Sequence, residues 1–286
     1  MRADTRPVTA RIDHAVINVL DRMDEAVERF RAFGFTLTER GYHSLGSINH
    51  LMVFGADYLE LVGLPQKGDL IRREVADSPL GLNGLVFATD DAQRLHRELA
   101  GRGEAVEPAL AFNRPLTLDG ATHIASFKTV RLAPGSVRGG RVYFCEHETR
   151  HLVWRREWQG HRNGVNALAG FTIVLPELAR EAALYSRILG AKARRLSDNE
   201  SELALGPFRL GFMTPACYGN RYGTFAGDAG GREAFMGALT LRTTALAQVR
   251  ACMAAAAGDG VEAENLPART VVSAASAFNT VLEFVE

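Results

Sequence analysis

The chain has 286 residues, of which 47% are hydrophobic and 23% are charged, and this composition is typical of a globular protein with one large or two medium domains. Lys plus Arg and Asp plus Glu both number 33, so no charge excess favours nucleic acid or an anionic membrane as a partner. The 3 cysteines are scattered, and the first ten residues lack an apolar signal core. We therefore expect a cytoplasmic protein that binds neither nucleic acid nor membranes.

The first predicted element is a strand at 12–19 (IDHAVINV), in which side chains alternate between two faces. His14 lies on one face of this strand and Asp13 on the other. A later strand at 57–63 presents Glu60 in the same way, between apolar neighbours. Each strand therefore carries one side chain that can bind a metal. Because a buried carboxylate needs a compensating partner, a metal ion is one candidate for that partner.

The same succession of elements recurs four times along the chain. Each copy has a strand, a helix-period stretch ended by glycine, and three short strands, so each unit is predicted as βαβββ. The aligned first-strand positions are His14, Gly84, Gly170 and Gly237. The helix-ending glycines are Gly34, Gly103, Gly190 and Gly258. The second copy is longer than the others because of residues 108–123, which we interpret as a long loop.

The closing strand of the unit also repeats, and it carries a carboxylate in the first, second and fourth copies. These acids are Glu60, Glu146 and Glu283. After the second closing strand, His147 and His151 stand four residues apart, but they do not lie on a predicted helix, so the spacing favours no metal pair. The following segment, 152–158 (LVWRREW), is expected to form a lid over a cleft or a packed connector.

Four such units, with ligand positions on the first and last strands, resemble the vicinal oxygen chelate superfamily. This group includes glyoxalase I, extradiol dioxygenases and the fosfomycin- and bleomycin-resistance proteins. Within it, the chain is most similar to bacterial glyoxalase-like domain proteins, on the segments 12–17 (IDHAVI), 33–36 (FGFT), 46–51 (GSINHL), 58–61 (YLEL) and 161–164 (HRNG). The resemblance implies an α+β fold of four βαβββ modules, paired into two glyoxalase-like domains. We place the domains at 11–148 and 167–286, with a linker at 149–166.

The resemblance also implies that four positions of a module pair converge on one metal ion. In the N-terminal pair, the predicted ligands are His14, Glu60 and Glu146. The fourth position, Gly84, is either open or replaced by a histidine from elsewhere. The candidates are His50, His123 and His147. One imidazole and two carboxylates admit Mn²⁺, Fe²⁺, Zn²⁺ or Mg²⁺. The C-terminal pair is expected to bind no metal, and Glu283 to form a salt bridge or to lie at an exposed edge.

A divalent ion in such a cleft would bind neighbouring oxygens of a small substrate, with Glu60 or Glu146 as the catalytic base. We therefore predict a metal-dependent isomerase, lyase, hydrolase or ring-cleaving dioxygenase. Substrate contacts are predicted at Tyr42, His43, Asn49 and His50. The alternative is a metal-free protein that binds or sequesters a small molecule, as bleomycin-resistance members do. The C-terminal pair is expected to close the cleft or to form the face of a homodimer.

Overall fold

The computed structural model describes residues 10–67, 71–118 and 120–286, and its strands form two sheets of eight strands each. The terminal segment 1–9, on which the expectation of no signal peptide mainly depends, lies outside the described residues. In the part of the chain that is described, no helix is both long and apolar enough to cross a bilayer.

The first sheet contains two modules in the order β2-β3-β4-β1-β5-β8-β7-β6. Its strands are β1 (Arg11–Leu20), β2 (Gly41–His43), β3 (Ser47–Val53), β4 (Tyr58–Gly63), β5 (Gly81–Ala88), β6 (Leu110–Leu118), β7 (Ala121–Arg131) and β8 (Arg141–His147). Its helices are α1 (Met23–Ala32), α2 (Arg73–Ala76) and α3 (Ala92–Gly101). Within each module the first strand runs parallel to the last, and the modules join through antiparallel β1 and β5.

The second sheet repeats this topology in the order β10-β11-β12-β9-β13-β16-β15-β14. Its strands are β9 (Val165–Val174), β10 (Ala193–Ser197), β11 (Glu200–Leu205), β12 (Phe208–Met213), β13 (Phe235–Thr243), β14 (Ala263–Leu266), β15 (Arg269–Val272) and β16 (Val281–Val285). Its helices are α4 (Leu178–Leu189), α5 (Pro215–Tyr222) and α6 (Leu246–Ala256). The predicted α+β fold of four βαβββ modules is therefore confirmed. The domain boundaries and the homodimer stay predictions.

One apolar core joins the two halves of the chain. The buried face of α1 follows the spacing of an amphipathic helix, and its largest side chain, Phe30, is fully buried. The ring centroid of Phe30 lies 6.5 Å from that of Phe278, and the centroid of Phe35 lies 6.3 Å from that of Phe284. Buried residues of α3, α4 and α6 belong to the same cluster. The helical faces of both sheets thus pack into one interior.

The segment 161–164 fastens the first module to the second half. His161 accepts a hydrogen bond from Thr36 N at Nδ1 and donates from Nε2 to Val53 O, both at 3.0 Å. Asn163 Nδ2 donates to Phe33 O at 3.0 Å. Gly34 has φ +91°, and a Cβ there would lie only 2.6 Å from Cys252 Sγ. Glycine at this helix end therefore serves both the left-handed turn and the close approach of α6.

Residues 108–123 do not form the predicted long loop. They contain β6 and the start of β7, which pair as an antiparallel hairpin. The interpretation rested on the extra length of the second copy, but the extra residues lengthen two paired strands. Pro115 is tolerated inside β6 because β6 is an edge strand of its sheet. The first sheet curls until its two edges meet, and Ser44 N after β2 donates to Asn113 O on β6 at 3.3 Å. The hairpin therefore closes one side of the cleft.

Asp57, just before β4, is a buried acid at the junction of the two halves. Its Oδ1 accepts a hydrogen bond from Leu168 N at 2.9 Å. Burial raises the pKa of Asp57 to about 7 from an ordinary 3.8, and the charge of Asp13 adds to this, while the hydrogen bond acts against it. The folded state therefore holds the proton more tightly than the unfolded chain between these two values. Consequently, folding stability should fall as the pH rises through this window.

We expect Asp57→Asn to remove this pH-dependent loss, because asparagine keeps an acceptor oxygen for Leu168 N and carries no charge. The free energy of unfolding of the variant should exceed that of the parent at pH 8 by up to about 4 kcal/mol, and the difference should vanish near pH 4. Urea denaturation at both pH values measures it, with exposed Asp77→Asn as the control. An equal difference at both pH values would show that Asp57 does not titrate in this window.

Candidate metal centre

A β-bulge in β1 places an acid beside His14. Ile12 pairs with Phe87 and His14 pairs with Val86, so Asp13 has no partner residue on β5. An extra residue of this kind turns its side chain away from the regular alternation. Asp13 Oδ2 lies 2.6 Å from His14 Nδ1, and the prediction that Asp13 points to the opposite face is therefore wrong.

Asp13 lies between two imidazoles. Its Oδ2 is also 2.9 Å from Nε2 of His147, and only 1% of Asp13 is exposed. Burial alone would raise the pKa of Asp13, but the charges and hydrogen bonds of His147 and His14 outweigh it and hold the pKa well below its ordinary value. An ionised carboxylate can only accept, so Nδ1 of His14 donates to it. In the neutral ring of His14, the lone pair is then on Nε2.

Nε2 of His14 faces two oxygen groups. Glu60 Oε2 lies 3.7 Å away, and the hydroxyl of Tyr143 lies 3.5 Å away. The imidazole also stacks on the ring of Tyr58, with 4.3 Å between centroids, which fixes its plane. Burial raises the pKa of Tyr143 well above its ordinary value, and the charge of Glu60 adds to this, so the hydroxyl stays protonated. The arrangement therefore brings together an imidazole nitrogen, a carboxylate oxygen and a hydroxyl group.

Glu60 is held by groups from β2 and β3. Asn49 Nδ2 donates to Glu60 Oε1 at 2.7 Å, and His43 Nε2 lies 3.8 Å from the same oxygen. Burial would raise the pKa of Glu60, but the charges of His43 and His14 and the bond from Asn49 lower it overall. Burial lowers the pKa of His43 to about 4, although the charge of Glu60 opposes this. The site thus holds a carboxylate beside a neutral ring.

These side chains surround a cavity of about 30 Å³, which is close to the volume of one water molecule or one ion. Its polar wall includes His14, His43, Asn49, Glu60, Tyr143, Arg72, Arg114, Thr129 and Arg131. Aromatic rings of the β6/β7 hairpin, Phe112 and Phe127, complete it. A donor set of imidazole nitrogen and carboxylate oxygen fits Mn²⁺, Fe²⁺ or Zn²⁺.

Comparison with known proteins agrees with this arrangement of modules. The sequence model of a family described as glyoxalase-like domain matches residues 12–189. The chain belongs to this glyoxalase-like domain family. With the repeated module fold, membership places the chain in the vicinal oxygen chelate superfamily, as the resemblance implied. No curated protein sequence matches this glyoxalase-like chain at a significant level.

Solved structures with the same fold cover nearly the whole glyoxalase-like chain. A hypothetical protein from Staphylococcus aureus is 10% identical, covers 96% of this chain and 98% of its own, and has a TM-score of 0.68. The 2,3-dioxygenase LapB from Pseudomonas sp. KL28 is 13% identical, with coverages of 97% and 93% and a TM-score of 0.61. A Mn(II)-bound glyoxalase from Novosphingobium aromaticivorans is 11% identical, with coverages of 98% and 82% and a TM-score of 0.56. At these identities, the likeness concerns the fold alone.

The structure of this glyoxalase-like chain brings together four of the residues predicted for the site. They are His14, His43, Asn49 and Glu60. Two predicted substrate contacts lie elsewhere. Tyr42 is 59% exposed and borders an outer cavity. Gly41 faces the cleft, and because side chains alternate along a strand, Tyr42 points to the outward face of β2. His50 alternates with Asn49 on β3, so it points away from the cleft, where its Nδ1 is 2.8 Å from Thr38 O.

The structure does not bring Glu146 to the other predicted ligands. Val86 on β5 pairs with Tyr143, as Val16 on β1 pairs with Glu60, so Tyr143 occupies the position equivalent to Glu60. Glu146 lies three residues further, on the helical side of the sheet. Its Oε2 accepts a hydrogen bond from Ala92 N at 2.8 Å, and its Oε1 is 3.9 Å from Lys128 Nζ. The comparison of the repeated units had therefore matched Glu146 with Glu60, although Glu146 lies three positions away from the equivalent residue.

The Gly84 position is not an open coordination position in this structure. A Cβ on Gly84 would lie 2.8 Å from Val16 Cβ, so this glycine packs against the side chain of the neighbouring strand. Of the histidines proposed to replace it, His123 is exposed on β7, whereas His147 reaches Asp13. Sequence reasoning gave His147 little weight as a ligand, since no sequence pattern shows that the bulge carries Asp13 toward it.

A second grouping of ligand atoms overlaps the first. Asp13, His14 and His147 each offer one atom, and these atoms lie within 4.8 Å of one another. In this grouping His14 would use Nδ1, whereas toward Glu60 it would use Nε2. A divalent ion fits either set chemically, but the 30 Å³ cavity lies on the Nε2 side. His14 is common to both arrangements.

In the equivalent region of the second sheet, the carboxylate pairs with an arginine. Glu283 Oε1 lies 2.6 Å from Nη1 of Arg269, and Oε2 accepts a hydrogen bond from Thr240 at 3.1 Å. The salt bridge expected for Glu283 is therefore present. Helix α5 carries Tyr218 and Tyr222, which are buried in the apolar cluster on this face.

The segment 152–158 covers the first cleft. The ring of Trp154 lies 5.5 Å from Tyr58 and 4.9 Å from His147, between ring centroids. On its other side, the guanidinium of Arg150 lies 3.5 Å from the Trp154 ring centroid, which is a cation–π distance. The tryptophan thus shields the Asp13 and His147 side of the cleft from water.

Proposed function

We propose that this glyoxalase-like protein is a divalent-metal-dependent enzyme that acts on a small oxygenated molecule. The observation that carries the proposal is the placement of His14 Nε2, 3.7 Å from Glu60 Oε2 across a cavity of about 30 Å³. Membership of the glyoxalase-like family supports it, because metal-dependent glyoxalases and dioxygenases share this fold. The Mn(II)-bound glyoxalase among the structural neighbours makes Mn²⁺ the first ion to test.

His14 and Glu60 would hold the ion, and Asp13 would orient His14 from behind. A ligand histidine commonly donates its second ring nitrogen to a carboxylate in this way, and Asp13 Oδ2 is 2.6 Å from His14 Nδ1. We favour this arrangement over the Asp13, His14 and His147 grouping, because a catalytic ion needs a position open to substrate. The cavity supplies that position next to Nε2.

A bound divalent ion would supply Lewis acidity toward a substrate oxygen. The protein groups around it have separate tasks. Tyr143, kept protonated by its raised pKa, can donate a hydrogen bond to a substrate oxygen beside His14. Glu60, held by Asn49, is positioned to bind the ion or to accept a proton from a substrate carbon. Proton transfer from carbon belongs to isomerase and lyase reactions, whereas a hydrolase or ring-cleaving dioxygenase would use the same base at a water molecule or a substrate hydroxyl.

The test is chelation followed by reconstitution. The purified chain is stripped of divalent ions and assayed against 1,2-dicarbonyl, hydroxy acid and catechol substrates, before and after addition of Mn²⁺, Fe²⁺, Zn²⁺ or Mg²⁺. We expect turnover of one substrate class that is lost on stripping and restored by one ion. Turnover or ligand binding that is unaffected by stripping would instead favour the metal-free binding protein.

Asp13→Asn should weaken the affinity for Mn²⁺ by about 10–100-fold, because the variant loses the carboxylate that orients His14 and raises its basicity. Isothermal titration calorimetry measures the affinity, and the exposed Asp21→Asn is the matched control. An affinity equal to that of the parent would contradict the orienting role of Asp13.

A further inference from the structure

The cleft wall beside the candidate ion site carries an excess of positive charge. Glu74, on α2, is the shared acidic partner of three arginines, whose guanidinium nitrogens lie 2.9–3.1 Å from its carboxylate oxygens. They are Arg72, Arg131 and Arg141. Burial would raise the pKa of Glu74, but these arginines lower it to about 2, so the carboxylate is ionised. Among the described residues, Glu74 is the carboxylate that pairs directly with these three guanidinium groups, so positive charge is in excess around it.

Arg114 is a fourth guanidinium in the cleft, and among the described residues it forms no ion pair. Only 3% of it is exposed. Its Nη1 donates to Asn49 Oδ1 at 3.3 Å, whereas its buried Nε has no hydrogen-bond partner in the described part of the chain. Glu60 attracts this charge, but Asn49 is hydrogen-bonded between the two groups, so an anion bound directly to Arg114 would stabilise the buried guanidinium.

The fold makes room for Arg114 in the interior. It occupies an inward position of β6, between Phe112 and Leu116, which pack against the apolar cluster of the cleft. Across from it, Gly41 has no side chain, and a Cβ there would lie 2.6 Å from Cδ of Arg114. Arg114 borders both the 30 Å³ cavity of His14 and an outer cavity of about 330 Å³. Arg114 therefore lies between the outer cavity and the candidate ion site.

We propose that Arg114, together with the positive charge of Arg72 and Arg131 in the wall of the same cavity, binds an oxyanionic group of the substrate, either a carboxylate or a phosphate. The planar guanidinium is suited to pairing with two oxygens of such a group. This inference rests on the proposed function, because it places the anion next to the ion site of His14 and Glu60. The substrate is thus a small oxygenated anion and not a neutral apolar molecule.

The experiment measures anion binding by the metal-free full chain, so that the anion cannot bind through an ion. Succinate and inorganic phosphate are titrated separately at constant ionic strength, by calorimetry. We expect Arg114→Met to weaken binding about tenfold or more, because it removes the guanidinium and its charge but keeps an unbranched side chain in place of the arginine stem. Arg114→Lys, which keeps the charge without the planar fork, should lie between the parent and Arg114→Met. Arg269→Met, in the equivalent region of the second sheet, should bind as the parent does.

Succinate binding that depends on Arg114 would identify a carboxylate substrate, and phosphate binding that depends on it would identify a phosphate or phosphonate. Either result supports the proposal. Binding of neither anion, or equal binding by the parent and Arg114→Met with both variants folded by circular dichroism, overturns it. The Mn²⁺ content of the reconstituted parent chain is measured in parallel. Mn²⁺ bound by a parent chain that binds neither anion would remove this inference alone and leave the proposed function standing.

Discussion

Replacing His14 with alanine is expected to remove the bound divalent ion completely, from one ion per chain to none. His14 is the residue common to both candidate arrangements, since its Nε2 faces Glu60 and its Nδ1 faces Asp13. In the cleft, losing the imidazole leaves Glu60 without the nitrogen ligand that favours a transition metal, and in the other arrangement it leaves only Asp13 and His147. Elemental analysis of the purified proteins measures the content. Glu283→Ala, which lies in the second sheet and pairs with Arg269, is the control and should keep the ion.

Two further variants show which nitrogen of His14 binds the ion. If the ion lies in the cleft, Glu60→Gln should lose it and His147→Ala should keep it. The reverse pattern would place the ion between Asp13, His14 and His147. Two ions per chain in the parent, or an unchanged ion in His14→Ala, would contradict the whole assignment.

Replacing Phe30 with alanine is expected to lower the free energy of unfolding by about 3–5 kcal/mol, as truncation of a large buried aromatic side chain does. Phe30 is fully buried, and its ring contacts Phe33, Phe35 and Phe278, so no water reaches the cavity that the substitution would leave. Urea denaturation followed by circular dichroism measures the change. The control is Glu28→Ala, an exposed position on the same helix. A loss below about 1 kcal/mol would show that the core relaxes around the site.

The fold could be predicted because its signal is repeated. Helix-period stretches that end in glycine, such as the one before Gly34, recur four times between strands, and each recurrence constrains the others. The structure of residues 108–123 could not be predicted from the repeat, because the second module has a long hairpin there that the other modules lack. A proline inside an edge strand, Pro115, has the same sequence signature as a loop.

The site was only half predictable, because several of its residues depend on strand register. His14 and Glu60 lie at regular positions of β1 and β4, and alternation predicts their direction. Asp13 enters the site through a bulge, which shifts a side chain without any mark in the sequence. Tyr143 was overlooked because Glu146, three residues away, offered a more familiar ligand. Arg114 lay in the segment taken for a loop.

The interior shared by the two sheets has a consequence for how the protein opens. Because Phe30 of the first half packs against Phe278 of the second, neither sheet can separate without exposing the helical faces of both. The chain should therefore behave as one cooperative unit in which amide protons of both sheets exchange through the same global opening. An ion or anion bound in the first cleft would slow exchange in β13 and β16 as much as in β1. The second sheet, which contributes no residue to the proposed site, thereby becomes a reporter of its occupancy.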